Sequence, residues 1–286
     1  MPPLGAHFSI AGGVKNALLE AERLNCDAVQ LFTKNSNQWA GKPLAIDEAA
    51  EFRALARRLK LKYTTAHDSY LINLASPDPV LWRKSVESFV DEMARAEALG
   101  LTYLVTHPGA HVGCGEGTGV ANVVRALDEV NERCSQHRVR ILLEITAGQG
   151  SCLGNRFEHL ADVIRGVKLR KRLGVCFDTC HAFAAGYPLS TPSDYEATFR
   201  EFDRVIGLNR LKLFHVNDSK KPLGSRVDRH EAIGKGQLGL EAFRLLMNDP
   251  RFEKVPRILE TPKEDADGNE MDPVNLALLR SLVAAT

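Results

Sequence analysis

Six short apolar runs in this chain each close on an imidazole or a carboxylate. KYTTAH ends in His67, TYLVTH in His107, RILLE in Glu144, LGVCFD in Asp178, LKLFH in His215 and PRILE in Glu260. Two further segments add three residues of the same types. DTCHAF sets His181 three positions past Asp178, and SRVDRHEAIG alternates Asp228 and His230 about Arg229. An extended D-x-H puts both side chains on one face. A carboxylate at the end of a buried run is strongly destabilised unless something compensates it. Several carboxylates on one rim also repel one another, and divalent metal relieves that conflict directly. Nitrogen and oxygen donors without thiolate suit a hydrolytic zinc site, with manganese and iron left open as alternatives. Nine donors exceed the needs of one ion. Three per ion for three ions leaves positions open for water and substrate, the mark of a catalytic rather than a structural site.

Such convergence requires that the six run ends share one rim. Apolar runs at 4–7, 28–32, 62–67, 102–107, 140–144, 173–178, 211–215 and 256–260 read as strands. Helical periodicity follows at Val14–Leu24, Ile46–Leu59, Pro79–Leu99, Val120–Cys134, Phe157–Val167, Tyr195–Ile206, Leu240–Met247 and Val274–Val283. Eight strands each followed by a helix predict a single (β/α)8 TIM barrel, with the active site at the C-terminal rim of its strands. No Pro-, Ser- or Gly-rich linker divides the chain, so residues 1–286 are expected to form one domain. A doubly wound open sheet is the competing architecture, but the first turn, HFSIAGG, lacks G-x-G-x-x-G. The longest irregular stretches, 33–45, 107–118, 182–194 and 216–238, fall at or near strand ends, where barrels carry their function.

Composition narrows the setting. A net charge of +1 advertises no polyanion partner, so any attraction to nucleic acid must come from loops or from bound metal. The six cysteines form no C-x-x-C pair, as expected of a reduced intracellular chain. MPPLGAHFSI lacks the pattern of a signal peptide and no apolar run is long enough to span a bilayer, so the expected location is cytoplasmic, without membrane contact.

The segments GAHFSIAGG, FTKNSNQW, HDSYLINLA, THPGAH, LLEITAGQGS, GVCFDTCHAFAAGY, FHVNDSK, GSRVDRHEAIGKG and RILET together resemble endonuclease IV, the metal-dependent apurinic/apyrimidinic endonuclease family of base-excision repair. They run from residue 5 to residue 261, and DTCHAFAAGY, GSRVDRH and HDSYLINL are the most specific. The resemblance implies three Zn2+ per chain. His67 and His107 would hold one, bridged through Glu144 to a second that also takes Asp178, His215 and Glu260; His181, Asp228 and His230 would hold the third. It implies Glu144 and Glu260 as catalytic residues working with a metal-activated hydroxide, and Mn2+ or Fe2+ as substitutes. The partner it implies is double-stranded DNA with an abasic site, cut on the 5′ side by a monomer to leave 3′-hydroxyl and 5′ deoxyribose phosphate ends.

By the same resemblance Tyr70 and Leu71 wedge into the duplex, with packing in the core as the plainer alternative. Asn35, Asn37, Gln38 and Trp39 would meet the DNA gap, and Arg226 and Arg229 the phosphates. Lys220 and Lys221 fit solvated charges as well. The chain departs from the family at Asn37, where an arginine is common, and at Ile145 beside Glu144. Losing the cation predicts weaker phosphate contact; the second change predicts a different surrounding for Glu144. His7 and His111 are expected near the rim as supporting partners, His137 and His159 as structural residues, and Cys176 and Cys180 as packing. A metal-dependent sugar isomerase or epimerase on the same barrel is the enzymatic alternative, and a non-catalytic metal- or damage-binding protein the other.

Overall fold

The computed structural model describes residues 1–284. Its strands are β1 (Leu4–His7), β2 (Ala28–Phe32), β3 (Tyr63–His67), β4 (Tyr103–Thr106), β5 (Arg140–Glu144), β6 (Leu173–Asp178), β7 (Leu211–His215), β8 (Asp218–Ser219), β9 (His230–Glu231) and β10 (Arg257–Leu259). Helices α1 (Asn16–Arg23), α2 (Ile46–Arg58), α3 (Pro79–Leu99), α4 (Glu116–Arg133), α5 (Phe157–Gly166), α6 (Thr179–Ala185), α7 (Pro192–Val205), α8 (Leu240–Asn248) and α9 (Asp272–Ser281) alternate with them. Eight strands close into a parallel barrel in the order β1-β10-β7-β6-β5-β4-β3-β2, the predicted TIM barrel. The remaining pair, β8 and β9, forms a two-stranded antiparallel ribbon on the rim.

Boundaries follow from local chemistry. The span predicted for α3 is the span found, because both stops are built in. Asp78 caps the start by accepting from the Val80 and Leu81 amides, Pro79 occupies the first turn, and Gly100 closes the helix at φ 69°. The irregular stretch expected from 182 instead begins after Gly186, since Asp178 accepts from the His181 amide at 2.7 Å and so caps α6. The β8–β9 ribbon was also absent from the sequence reading; strands of two residues carry no periodicity to detect. His107 and Glu260 lie one residue past β4 and β10 rather than inside them.

Alternation along the strands builds two cores. Ala28, Tyr103, Val105, Leu142, Cys176, Leu213 and Ile258 fill the barrel, while the outward residues pack beneath the helices. In β6, Cys176 points in, Phe177 out and Asp178 in again, so the donor is positioned by the packing of its neighbours. Phe177 sits in an aromatic cluster, with ring centroids 5.0 Å from Phe199, 5.8 Å from Phe214 and 6.0 Å from Phe202. Phe177→Ala should therefore destabilise the fold by about 3–5 kcal/mol in denaturant unfolding. A loss below about 1 kcal/mol would mean that the cluster does not bear on β6. Among the described residues no helix is long and apolar enough to cross a membrane.

Candidate metal centre

Glu144, at the end of β5 and fully buried, is the hub of the rim. Its Oε2 lies 3.1 Å from His67 Nε2 and 3.4 Å from His107 Nε2; its Oε1 lies 3.0 Å from His215 Nδ1 and 3.1 Å from His181 Nδ1. Around it, three sets of imidazole and carboxylate donor atoms each lie within 4.8 Å of one another: His67, His107 and Glu144; Glu144, Asp178, His215 and Glu260; and Asp178, His181 and His230. Two further sets include a thiol, Cys176 with Glu144 and His215, and Cys180 with Asp228 and His230. Asp228 also joins the Asp178, His181 and His230 set, with Oδ2 3.1 Å from His181 Nε2 and Oδ1 3.3 Å from His230 Nε2. All nine sequence-derived candidates thus meet at one rim. The difference from expectation is that Asp178 abuts two sets rather than one.

The histidines are oriented from behind. His67 Nδ1 donates to the Asp68 carbonyl at 2.9 Å, His181 Nδ1 to the Ile145 carbonyl at 2.9 Å, and His230 Nδ1 to the Glu260 carbonyl at 3.1 Å. In each neutral ring the other nitrogen then carries a lone pair aimed into the cluster. One consequence bears directly on metal. His181 Nε2 and His230 Nε2 face each other at 3.4 Å, with the Asp228 oxygens beside both. Lone pairs converge there, and only a cation or bound protons can hold them together. Nitrogen and oxygen donors with oriented rings fit a divalent ion.

The titration behaviour reflects the same crowding. Burial alone would lower His67 and His181, but Asp68 and Glu144 around the first, and Asp178, Asp228 and Glu144 around the second, raise both well above the ordinary imidazole range. Burial opposes ionisation of Asp228, yet the hydrogen bond and charge of His181 hold it at about 2. Glu144 and Glu260 are likewise held low, against burial, chiefly by His215. Asp178 goes the other way: burial outweighs the pull of His181 and His230, and the Glu144 charge adds to the rise. Burial pushes the Cys176 thiol well up and Cys180 to about 12, consistent with packing roles.

Sequence reasoning missed three buried side chains that touch the donors. The Asp68 carboxylate accepts from Thr106 Oγ1 at 2.6 Å and lies 3.3 Å from His67 Nδ1. Asn217 donates to Asp178 Oδ2 at 2.7 Å and accepts from the Glu260 amide at 2.8 Å. Gln30, inside β2, is the third. Each is a polar residue in or within two positions of a buried strand, a signal that was available but that many structural polar residues share. His7 stands 3.5 Å from Glu260, as expected of a supporting residue, whereas His111 instead accepts from the Gly115 amide. Ile145 enters through its carbonyl, so its unusual side chain leaves the contact to His181 intact.

Tyr70 is 64% exposed and stands over the donors, its ring 5.4 Å from Phe32 and 6.0 Å from His67. Leu71 beside it is half-buried. A cavity of about 390 Å³ opens there between His7, Phe32, Tyr70, His230, Glu260 and Lys263. Another of about 400 Å³ lies across the cluster, against His107, Gln149, His181 and Asp228. Asn35, Asn37 and Gln38 lie on the loop after β2, which Ser69 ties to the Tyr70 loop by donating to the Ser36 carbonyl at 2.6 Å. Arg226 and Arg229 lie on the loop before β9, and neither forms an ion pair among the described residues. Among the described residues none of these five forms a hydrogen bond or ion pair with a metal-donor side chain; Arg229 donates to the backbone carbonyl of Asp228.

The fold and the donor set together define a TIM barrel whose C-terminal rim gathers buried imidazoles and carboxylates that could hold metal. Comparison with known proteins carries this to a family. The xylose isomerase-like TIM barrel family of AP endonuclease type 2 matches residues 18–282. The probable endonuclease 4 of Chloroflexus aggregans is 52% identical, over 100% of this chain and 99% of the relative. That of Geobacter sulfurreducens is 52% identical over 98% of this chain and 94% of the relative. The crystal structure of endonuclease IV from Thermus thermophilus superposes with a TM-score of 0.85 at 37% identity, covering 98% of each chain. The chain belongs to the endonuclease 4 family, and it is a nuclease. A D-tagatose 3-epimerase-like protein, at 20% identity and a TM-score of 0.73, shares the fold alone.

Proposed function

We propose that this protein hydrolyses the phosphodiester bond on the 5′ side of abasic sites in duplex DNA, using three zinc ions. Water adds to phosphorus, the P–O3′ bond breaks and the departing O3′ takes a proton, leaving a 3′-hydroxyl and a 5′ deoxyribose phosphate. The observation that carries the reading is the convergence of lone pairs from His181, His230 and Asp228 beside a carboxylate shared by four histidines. Likeness to endonuclease IV supports the substrate. Such ions, when bound, supply Lewis acidity toward phosphate and ionised water at neutral pH.

The chain's own residues set the rest. Glu144 commits one oxygen to each side of the cluster and so couples the His67–His107 set to the His215–Glu260 set. Asp178, His215 and Glu260 complete the second set, and His181, Asp228 and His230 form the third. Tyr70 and Leu71 fill the space that a missing base leaves in the stack, where extrusion of the sugar is least opposed. Asn35, Asn37 and Gln38 line the gap from the loop after β2, and Arg226 and Arg229 meet backbone phosphates.

The test is a labelled duplex carrying one tetrahydrofuran abasic analogue, which has no aldehyde for β-elimination and yields only to hydrolysis. Incision to a 3′-hydroxyl by the wild type, lost in Glu260→Gln, is the expected result. An intact duplex after incubation with metal-loaded protein overturns the proposal. The wedge has its own test. Base–aromatic stacking is worth about 1–3 kcal/mol, so Tyr70→Ala should raise KM on the abasic duplex by roughly 5- to 150-fold while metal content stays at the wild-type level. An unchanged KM would return Tyr70 to a packing role.

A further inference from the structure

Gln30 lies fully buried in β2, with both ends of its amide engaged. Its Oε1 accepts from His215 Nε2 at 2.8 Å and from Thr65 Oγ1 at 3.2 Å. Its Nε2 donates to Glu260 Oε1 at 2.5 Å and meets His7 Nδ1 at 3.0 Å. Two lone pairs and two N–H bonds exhaust what an amide offers. The opposite amide orientation would set its oxygen against the Glu260 carboxylate, so the arrangement is defined by charge. With the carbonyl facing His215 Nε2, that nitrogen carries the proton. His215 Nδ1 is then left with its lone pair toward Glu144 at 3.0 Å and Glu260 at 3.1 Å.

This differs from the other oriented rings. His67, His181 and His230 are each set by a backbone carbonyl, which no substitution removes. His215 is set by a side chain, and that same side chain grips Glu260. A buried amide is destabilising unless its bonds are all made, so an apolar residue would occupy this place if packing were its only task.

We propose that Gln30 is a positioning residue for metal: it fixes His215 as an Nδ1 donor, holds Glu260 beside it, and so governs retention of the ion those two residues share. The inference rests on the metal reading above and deepens it. The test loads wild type, Gln30→Met and Gln30→Asn with Zn2+, dialyses each against a chelator, and follows metal per chain by elemental analysis. Methionine keeps the length without the amide; asparagine keeps an amide too short to span both partners, and carries the test should the methionine variant fail to fold. Outer hydrogen bonds to metal ligands typically change affinity 10- to 100-fold, so one ion should leave each variant about 10- to 100-fold sooner, the others at the wild-type rate. In Co2+-loaded protein the visible absorption of that one ion should shift in both variants. Wild-type retention in either folded variant overturns the proposal, as does uniform loss of every ion, which would make Gln30 a packing residue. Wild-type protein that holds no metal overturns the metal reading itself, and this proposal with it.

Discussion

Glu144→Gln should lower kcat on an abasic duplex by about 10³-fold or more, equivalent to about 4 kcal/mol of transition-state stabilisation. The size follows from geometry. Both oxygens of this buried carboxylate are in use, and four histidines stand within 3.4 Å of them. Glutamine preserves the shape but removes the charge, and it sets an N–H where one of the two carboxylate oxygens had faced the imidazoles. Two sets of donors lose their shared member at once. The check is single-turnover incision of the tetrahydrofuran duplex, with metal per chain measured on the same sample. A variant within tenfold of wild type, with its metal complement intact, would remove Glu144 from the centre of the site.

Removing divalent metal should have the second largest effect, on activity and stability together. Incision should cease on chelation and return on adding Zn2+. An ion present at a thousandfold excess over its Kd stabilises the native state by about 4 kcal/mol, so the metal-free protein should melt roughly 10 °C lower. Rebinding carries a proton signature. In the metal-free cluster His67 and His181 are held well above the ordinary imidazole range by the carboxylates around them, so both are protonated near neutral pH. A metal ligand must be the neutral ring, so protons leave as metal enters, and apparent affinity should rise with pH through that raised range and fall on acidification. Calorimetric titration of Zn2+ in two buffers of different ionisation enthalpy measures the release. Heats independent of buffer would contradict the protonated cluster.

The departures from the family pattern separate in the same terms. Ile145 keeps the contact that its position makes, because the carbonyl and not the side chain orients His181. Asn37 is exposed on a loop, with its backbone amide donating to Asn35 Oδ1 at 2.9 Å, and among the described residues its side chain makes no hydrogen bond to the donor cluster. On the proposed reading, a lost cation there would lower DNA affinity and leave the metal centre unchanged.

What the sequence determined by itself was the set of strands and the donor types that close them. Short apolar runs fall only in a few places, and each of six carries a His, Asp or Glu at or just past its end, so the barrel and the rim were both legible. The span of α3 was legible too, since Asp78, Pro79 and Gly100 act within one turn of their own positions. What only the tertiary structure decided was which nitrogen of each histidine faces inward, how Asp178 lies between two donor sets, and that Gln30, Asp68 and Asn217 serve the donors at all. Those outcomes depend on hydrogen bonds between segments as far apart as β2 and β7, where Gln30 meets His215 across 185 residues of chain. Local propensity acts over a turn or a strand and carries no information about such partners. They are selected when the barrel closes and each buried polar group must find a partner within about 3 Å.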